Sequence, residues 1–397
     1  MRIIIKNATL ILPNKVLERA FIVCTDGIIS ELGEGNFNFC TDSDLVIDAK
    51  GNYVSPGFID IHTHGAGGYD FMDNTVEAYL GAARAHAKYG TTSLVPTTLT
   101  STIEELLNTF DIYEQAKKNN IDGADLLGLH LEGPYFAYNQ RGAQDPKYLR
   151  NPIPEEYNAI LEKGEKHIIR WSMAPELDGA LELGQLLYSK GILASLGHTD
   201  ALYEEVVDAY KCGFTHVTHL YSCMSSITRR NAYRYAGALE ASYMIDDMSV
   251  EIIADGIHLP KPLLQFVCKF KAFDKIALCT DSMRAAGMPD GEYILGNKNN
   301  GQKVIVEDGV AKLPDRTAFA GSVATADRLI RTMIQIAEIS LFDAVKMMSQ
   351  NPARILGIDK TKGSLEVGKD ADIIIFDSDI SIQTTIVKGK IIYTYNT

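Results

Sequence analysis

Between about residues 56 and 350 the chain alternates repeatedly between short apolar runs and intervals of helical periodicity, and this alternation limits the fold more than any other feature. The runs are "GFIDIHTH", "TTSLVPTT", "DLLGLHLEG", "IIRWSMAPE", "GILASLGH", "THVTHLY", "SVEIIADGIH" and "KIALCTDS". Each is too short for a helix and reads as a buried strand. Among the intervals, "STIEELLNTFDIYEQAKK" opens with Ser101 and Glu104 at capping-box spacing. "DALYEEVVDAYKCG" and "TADRLIRTMIQIAEIS" repeat apolar residues at helical spacing. Eight such alternations fit an α/β chain closed as a (β/α)8 TIM barrel better than an open doubly wound sheet. The GxGxxG fingerprint of a dinucleotide fold is absent, since "GAGG" follows a His-rich strand.

The two ends differ from this middle and resemble each other. "RIIIKNATLI", "KVLERAFIVCTDGIISELG" and "LVIDAKGNYVSPG" are β-branched runs broken by Asn, Asp-Gly and Gly, which predicts antiparallel hairpins. The tail continues in the same style with "GSLEVGKDADIIIFD" and "IQTTIVKGKIIYTYN". One small β-domain built from both termini is therefore expected, residues 1–55 with 355–397, around a barrel spanning 56–354.

Bulk properties narrow the function. Net charge is −13 with Lys and Arg scattered, which argues against a nucleic-acid surface. The six cysteines form no CxxC pair and read as reduced thiols of a cytoplasmic protein. "MRIIIKNATLILPN" lacks the pattern of a signal peptide, and no apolar run is long enough to span a membrane.

In a barrel of this kind, chemistry sits at the carboxyl ends of the strands. Those ends carry His62 and His64, Glu132, His198, His219, His258 and Asp281. Alternation along a strand puts Asp60, His62 and His64 on one face. His130 lies one layer below Glu132 and reads as a hydrogen-bonded interior residue. His86, in a helical stretch, reads as a surface residue. His167 precedes its strand at the wrong end, and His216, opposite in parity to His219, is expected to face the helix layer.

Imidazoles and carboxylates converging from separate strands predict a divalent-metal site for one or two ions. The donor set suits zinc first, and also iron, manganese, cobalt or nickel. A bound ion makes hydroxide available near neutral pH, and a neighbouring carboxylate relays the proton. Asp281 is the candidate relay, and metal-assisted hydrolysis is the predicted reaction.

The motifs "PGFIDIHTHG", "LHLEGPY", "GHTDA", "THLYSCM", "DGIHL", "TDSMRAAGMPDGEY", "AGSVATADR" and "KGSLEVGKDADIIIFD" occur in this order. Together they resemble the N-acetylglucosamine-6-phosphate deacetylases of the amidohydrolase superfamily across nearly the whole chain. The resemblance implies a distorted barrel with a small β-sandwich. It also implies release of acetate from the 2-acetamido group, a step of amino-sugar catabolism. By motif, Glu132, His198 and His219 match the principal metal ligands. His62 and His64 match a strand-one pair for a second ion, with Glu132 and Asp281 shared. Asp281 matches the acid/base residue. Ala143, His258 and the stretch Phe319, Ala320 and Gly321 match substrate contacts. Arg230, with Arg229 as a rival, matches an arginine that crosses to the neighbouring site of a homodimer.

One departure stands out. Ser222 and Cys223 occupy the place of an Asn-Ala pair whose asparagine helps hold the phosphate in the family. A deacetylase of another acetamido sugar, such as N-acetylgalactosamine 6-phosphate, is therefore a competing expectation. A dihydroorotase-like or dipeptidase-like amidohydrolase would need a strand-end lysine, which these runs lack. A barrel kept only as a binding scaffold would be expected to have lost several of the ligand positions that are filled here.

Overall fold

The computed structural model describes residues 1–395 apart from 36 and 38. All eight runs are strands: Phe58–Thr63, Thr91–Pro96, Leu129–Glu132, Ile168–Met173, Leu193–Leu196, Phe214–Val217, Ser249–Ile252 and Ile276–Leu278. Strands three to eight pair in sequence order as one parallel sheet, and strands one and two pair in another. Single parallel bridges, Thr97 to His130 and Thr63 to Ser282, join the two sheets into a closed but distorted barrel. Parallel neighbours require crossovers, and helices such as Val76–Ala87, Ile103–Asn119 and Tyr203–Lys211 supply them. The cap of Ile103–Asn119 falls one residue later than the sequence predicts. Thr102 Oγ1 accepts from the Glu105 amide at 3.2 Å, while Ser101 is buried with its carbonyl held by Arg150.

The termini form a single eight-stranded sheet. Arg2–Ile11, Val16–Thr25 and Ile28–Glu34 are an antiparallel meander. The turn between the last two uses Asp26 and Gly27, both at positive φ, as a two-residue hairpin favours. Leu45–Asp48 and Tyr53–Pro56 are not the expected hairpin. Both run parallel to Arg2–Ile11, pairing with its first and second halves in turn. Lys50 and Gly51, at positive φ, offset the chain between them without reversing it. Tyr53–Pro56 then pairs with Ile373–Phe376 from the other end of the chain. The sheet curls until Ile29 exchanges hydrogen bonds with the Gly368–Lys369 segment (2.8 and 2.9 Å). That closure makes the small β-sandwich, packed on Ile3, Ile5, Leu10, Ile22, Val54, Ile375 and Ile386.

Two elements near the rim are among those with no counterpart in the sequence reading. A three-stranded antiparallel sheet, Gly291–Leu295, Gln302–Glu307 and Val310–Lys312, follows the eighth barrel strand. A short exposed hairpin, Thr228–Arg230 with Tyr233–Tyr235, follows the sixth. Among the described residues no helix is long and apolar enough to cross a membrane. All six cysteines are free.

Candidate active site

Simple alternation does not survive to the rim. In strand one the pairing slips between Asp60, opposite Leu94, and Thr63, opposite Pro96. Asp60 therefore leaves the face that the sequence assigns it. Its carboxylate accepts from the Thr280 hydroxyl at 2.5 Å and the Thr280 amide at 3.2 Å. His62 and His64 continue to the rim. His198, His219 and Asp281 all lie just past their strands at positive φ (49°, 29° and 46°). That region is uncommon for residues with a side chain and concentrates at functional sites.

Glu132 is the hub. Its Oε1 lies 3.2 Å from His198 Nε2, 3.1 Å from His219 Nε2 and 3.5 Å from His62 Nε2. Its Oε2 lies 3.3 Å from His64 Nε2 and accepts from Gln144 Nε2 at 2.8 Å. Asp281 Oδ1 sits 3.2 Å from His64 Nε2 and 3.4 Å from His62 Nε2. Six of the predicted rim residues, all but His258, therefore meet.

Behind the rim, three rings are held through Nδ1. His62 faces Glu251 Oε1 (2.7 Å), His198 the Gln140 carbonyl (2.8 Å) and His64 the Thr97 carbonyl (3.3 Å). Those partners only accept, so Nδ1 donates and Nε2 is the atom each ring turns toward the carboxylates, where a cation can take the place of its proton. The buried Nε2 of His62 has no hydrogen-bond partner at all. His219 differs, because its Nδ1 is the partnerless atom.

The charges agree with a cation. Burial pushes Glu132 up, yet His62 and the bonds from His198 and His219 hold its carboxyl well below the usual range. Asp281 is lowered by His62 and His64 against the same penalty. Conversely, burial depresses His62, but Asp281, Glu251 and Glu132 raise it to about 9. His64 is raised to about 10 by Asp281 and Glu132 in spite of burial. Ionised carboxylates and imidazoles that draw positive charge toward them, packed together out of solvent, are answered most directly by a divalent ion. Two triads, His62–His64–Glu132 and Glu132–His198–His219, have donor atoms within 4.8 Å of one another and share Glu132. A third grouping, His62–Glu251–Cys279, meets the same distance test. Its carboxylate is already taken by Arg170 at 2.5 and 2.9 Å.

The remaining histidines are structural. His130 bonds Ser172 Oγ at 2.6 Å one layer below the rim, as expected. His216 lies inside the barrel instead of toward the helices, with Nδ1 2.8 Å from Ser249 Oγ and Nε2 3.5 Å from Glu251. Its parity could not be counted from His219, which lies beyond the strand end. His86 is buried, not at the surface, and its Nε2 lies 2.9 Å from Thr63 Oγ1. It shares the buried helix face of Tyr79, Ala82 and Ala83. His167 stays at the amino end of strand four, partly exposed.

Above the cluster opens a cleft of about 300 Å³. Ala143, Ser222, Cys223, His258, Phe319 and Gly321 all line it. His258 is oriented by Asp255, whose Oδ2 lies 2.8 Å from Nδ1, and its ring sits 4.6 Å from that of Phe319. Gly321 is at φ 61°, where a Cβ would come within 2.9 Å of the Asp281 carbonyl. The loop can thus lie against Asp281, with the Ser322 amide bonded to that carbonyl at 2.7 Å. Ala320 turns away and packs with Met283 and Val304 under the three-stranded sheet. Arg230 does not line the cleft. It stands on the exposed hairpin, its guanidinium 5.7 Å from the Tyr235 ring.

The sequence reading missed Gln144, Tyr221 and Leu295 in the cleft wall and Arg170 and Glu251 beneath it. For the last two a signal existed: one charge of each sign inside otherwise apolar strands, "IIRWSM" and "SVEII".

Residues 53–392 match the model of the Amidohydrolase family. The chain belongs to that family. This amidohydrolase is 34% identical to an N-acetylglucosamine-6-phosphate deacetylase of Bacillus subtilis, with 98% of this chain and 97% of the relative covered. It is 31% identical to an N-acetylgalactosamine-6-phosphate deacetylase of Escherichia coli O157:H7, covering 87% and 89%. Among solved structures, the N-acetylglucosamine-6-phosphate deacetylase of Pasteurella multocida superposes over the whole of both chains, with a TM-score of 0.91 at 28% identity.

Proposed function

We propose that this amidohydrolase removes the acetyl group of N-acetylglucosamine 6-phosphate, yielding glucosamine 6-phosphate and acetate. The observation that carries this reading is the Glu132 hub, which joins two imidazole pairs and faces Asp281 at the floor of an open cleft. Glu132, His198 and His219 would hold one divalent ion, and His62 and His64, with Glu132 and Asp281 shared, a second; zinc suits both donor sets. When bound, such an ion supplies Lewis acidity that polarises the amide carbonyl and brings a water's pKa near 7.

The protein's own groups do the rest. Asp281, kept ionised by the two strand-one imidazoles, takes the proton of the attacking water. As the carbon–nitrogen bond breaks, it returns that proton to the nitrogen, which leaves as the sugar amine. His258, fixed through Asp255, and the Phe319–Gly321 loop position the sugar, and Ala143 packs against it. Ser222 and Cys223 face the phosphate end. Arg230, with Arg229 beside it, projects from the hairpin to grip the phosphate in the partner subunit of a homodimer. Six free thiols accord with a cytoplasmic setting.

Ser222 and Cys223, with the similarity to an N-acetylgalactosamine-6-phosphate deacetylase, favour a second reading in which the sugar differs and the chemistry does not. Acetate release from both phosphorylated sugars and from free N-acetylglucosamine separates the two. Fastest turnover on N-acetylglucosamine 6-phosphate, abolished by a chelator, is expected. Preference for the galacto sugar would select the second reading, and chelator-resistant turnover would overturn both.

A further inference from the structure

Below the rim, on the barrel axis, Arg170 from strand four meets Glu251 from strand seven, both with no solvent exposure. All five guanidinium N–H groups have an acceptor. Nε donates to Ser195 Oγ (3.0 Å), Nη1 to the Ile61 carbonyl (3.2 Å) and Glu251 Oε2 (2.5 Å), and Nη2 to Thr218 Oγ1 (2.9 Å) and Glu251 Oε1 (2.9 Å). Arg170 thereby ties strands one, five, six and seven to its own. Such a fork is rigid and bidentate, so the carboxylate cannot rotate. The free direction of Glu251 Oε1 is spent on His62 Nδ1 at 2.7 Å, with the His219 backbone amide at 3.2 Å beside it.

Both carboxylate oxygens of Glu251 already accept from the Arg170 guanidinium, so Glu251 meets the His62 ring as an acceptor. His62 must then donate from Nδ1, and its unpartnered Nε2 is left turned toward Glu132 and Asp281. We infer that the Arg170–Glu251 pair is a positioning device that makes the His62–His64 ion position competent, acting through the His62 ring. The other triad lacks this dependence, because His198 is oriented by the Gln140 carbonyl and Glu251 touches only the backbone of His219. The inference rests on the two-ion reading of the proposed function.

The test uses the full chain, stripped with a chelator, reloaded with zinc, and assayed for bound zinc per subunit and for the affinity of each ion. Wild type is expected to hold two ions. Glu251→Gln is expected to keep the first ion and to bind the second about 10–100-fold more weakly, the usual cost of losing a partner behind a ligating histidine. Should Glu251→Gln fail to fold, the paired variant Arg170→Met/Glu251→Leu removes both charges together and is expected to lose the same ion. A folded variant that binds both ions as wild type does, or that weakens both equally, overturns the inference. A wild type that holds a single ion overturns the two-ion reading and the inference with it.

Discussion

The terminal sheet packs aliphatic side chains on one another, with Ile3, Ile5, Ile22, Val54, Ile375 and Ile386 at its centre. The barrel axis instead carries Arg170, Glu251, His130, His216 and Ser172, each without solvent exposure. Both interiors are built from strands, yet they do different work. Apolar contact is non-directional and stabilises by roughly 1.5–3 kcal/mol for each large side chain buried. Buried charges add little net stability, because desolvation offsets most of their attraction, but their hydrogen bonds are directional. A sheet that only has to hold together can be greasy, whereas a barrel that aims imidazoles needs a polar interior.

This contrast breaks if barrel substitutions act mainly on stability or sheet substitutions mainly on catalysis. The largest effect is expected at Asp281. Asp281→Asn removes the proton relay and should lower kcat by about 10²–10⁴-fold. The ion held by Glu132, His198 and His219 should be retained and the fold kept, while the second ion, which shares Asp281, should bind more weakly; a variant with full turnover would remove Asp281 from the mechanism.

A smaller effect is expected where the two regions join. Lys362 is buried against Asp372 (2.5 Å), Asp370 (3.0 Å) and Asp125 (3.4 Å), linking the C-terminal segment to the barrel. Burial disfavours its charge, but Asp372 and Asp125 raise its pKa above 10.5. A raised value means this stabilisation is whole below pH 10.5 and is lost as pH climbs through the higher folded value. Lys362→Met should cost about 3–5 kcal/mol, as for one partner removed from a buried pair. Melting curves should show that gap constant from neutral pH to about 10 and narrowing only beyond 10.5. A gap that closes near neutral pH would refute the account.

The smallest free-energy change is expected inside the sheet. Ile375→Ala should lower stability by about 2–5 kcal/mol, toward the lower end because the curled sheet can settle around the gap. Zinc affinity and kcat should not move. Loss of metal in a folded Ile375→Ala protein would mean that the sheet, too, sets the geometry of the site.

Much of this was legible in one dimension because it is local. Strand and helix periods follow from which residues need burial, and once they point to a barrel the carboxyl ends of the runs mark His62, His64, Glu132, His198, His219 and Asp281. The errors share one cause, which is that period-two counting presumes an unbroken strand. A slipped pairing removed Asp60 from the cluster, and counting back from His219, beyond its strand, misplaced His216. His86 was misjudged for a related reason, since the stretch "GAARAHAKYG" does not say which helix face the barrel covers.

The order of elements and the types of candidate ligand were set by the sequence itself, because burial preference and turn chemistry act between near neighbours. Only the tertiary structure decided which carboxylate accepts from which imidazole. Glu132 and His219 lie 87 residues apart, and His62 and Glu251 lie 189 apart. Contacts of that separation depend on how the strands tilt and close around the barrel, and no local pattern encodes such closure.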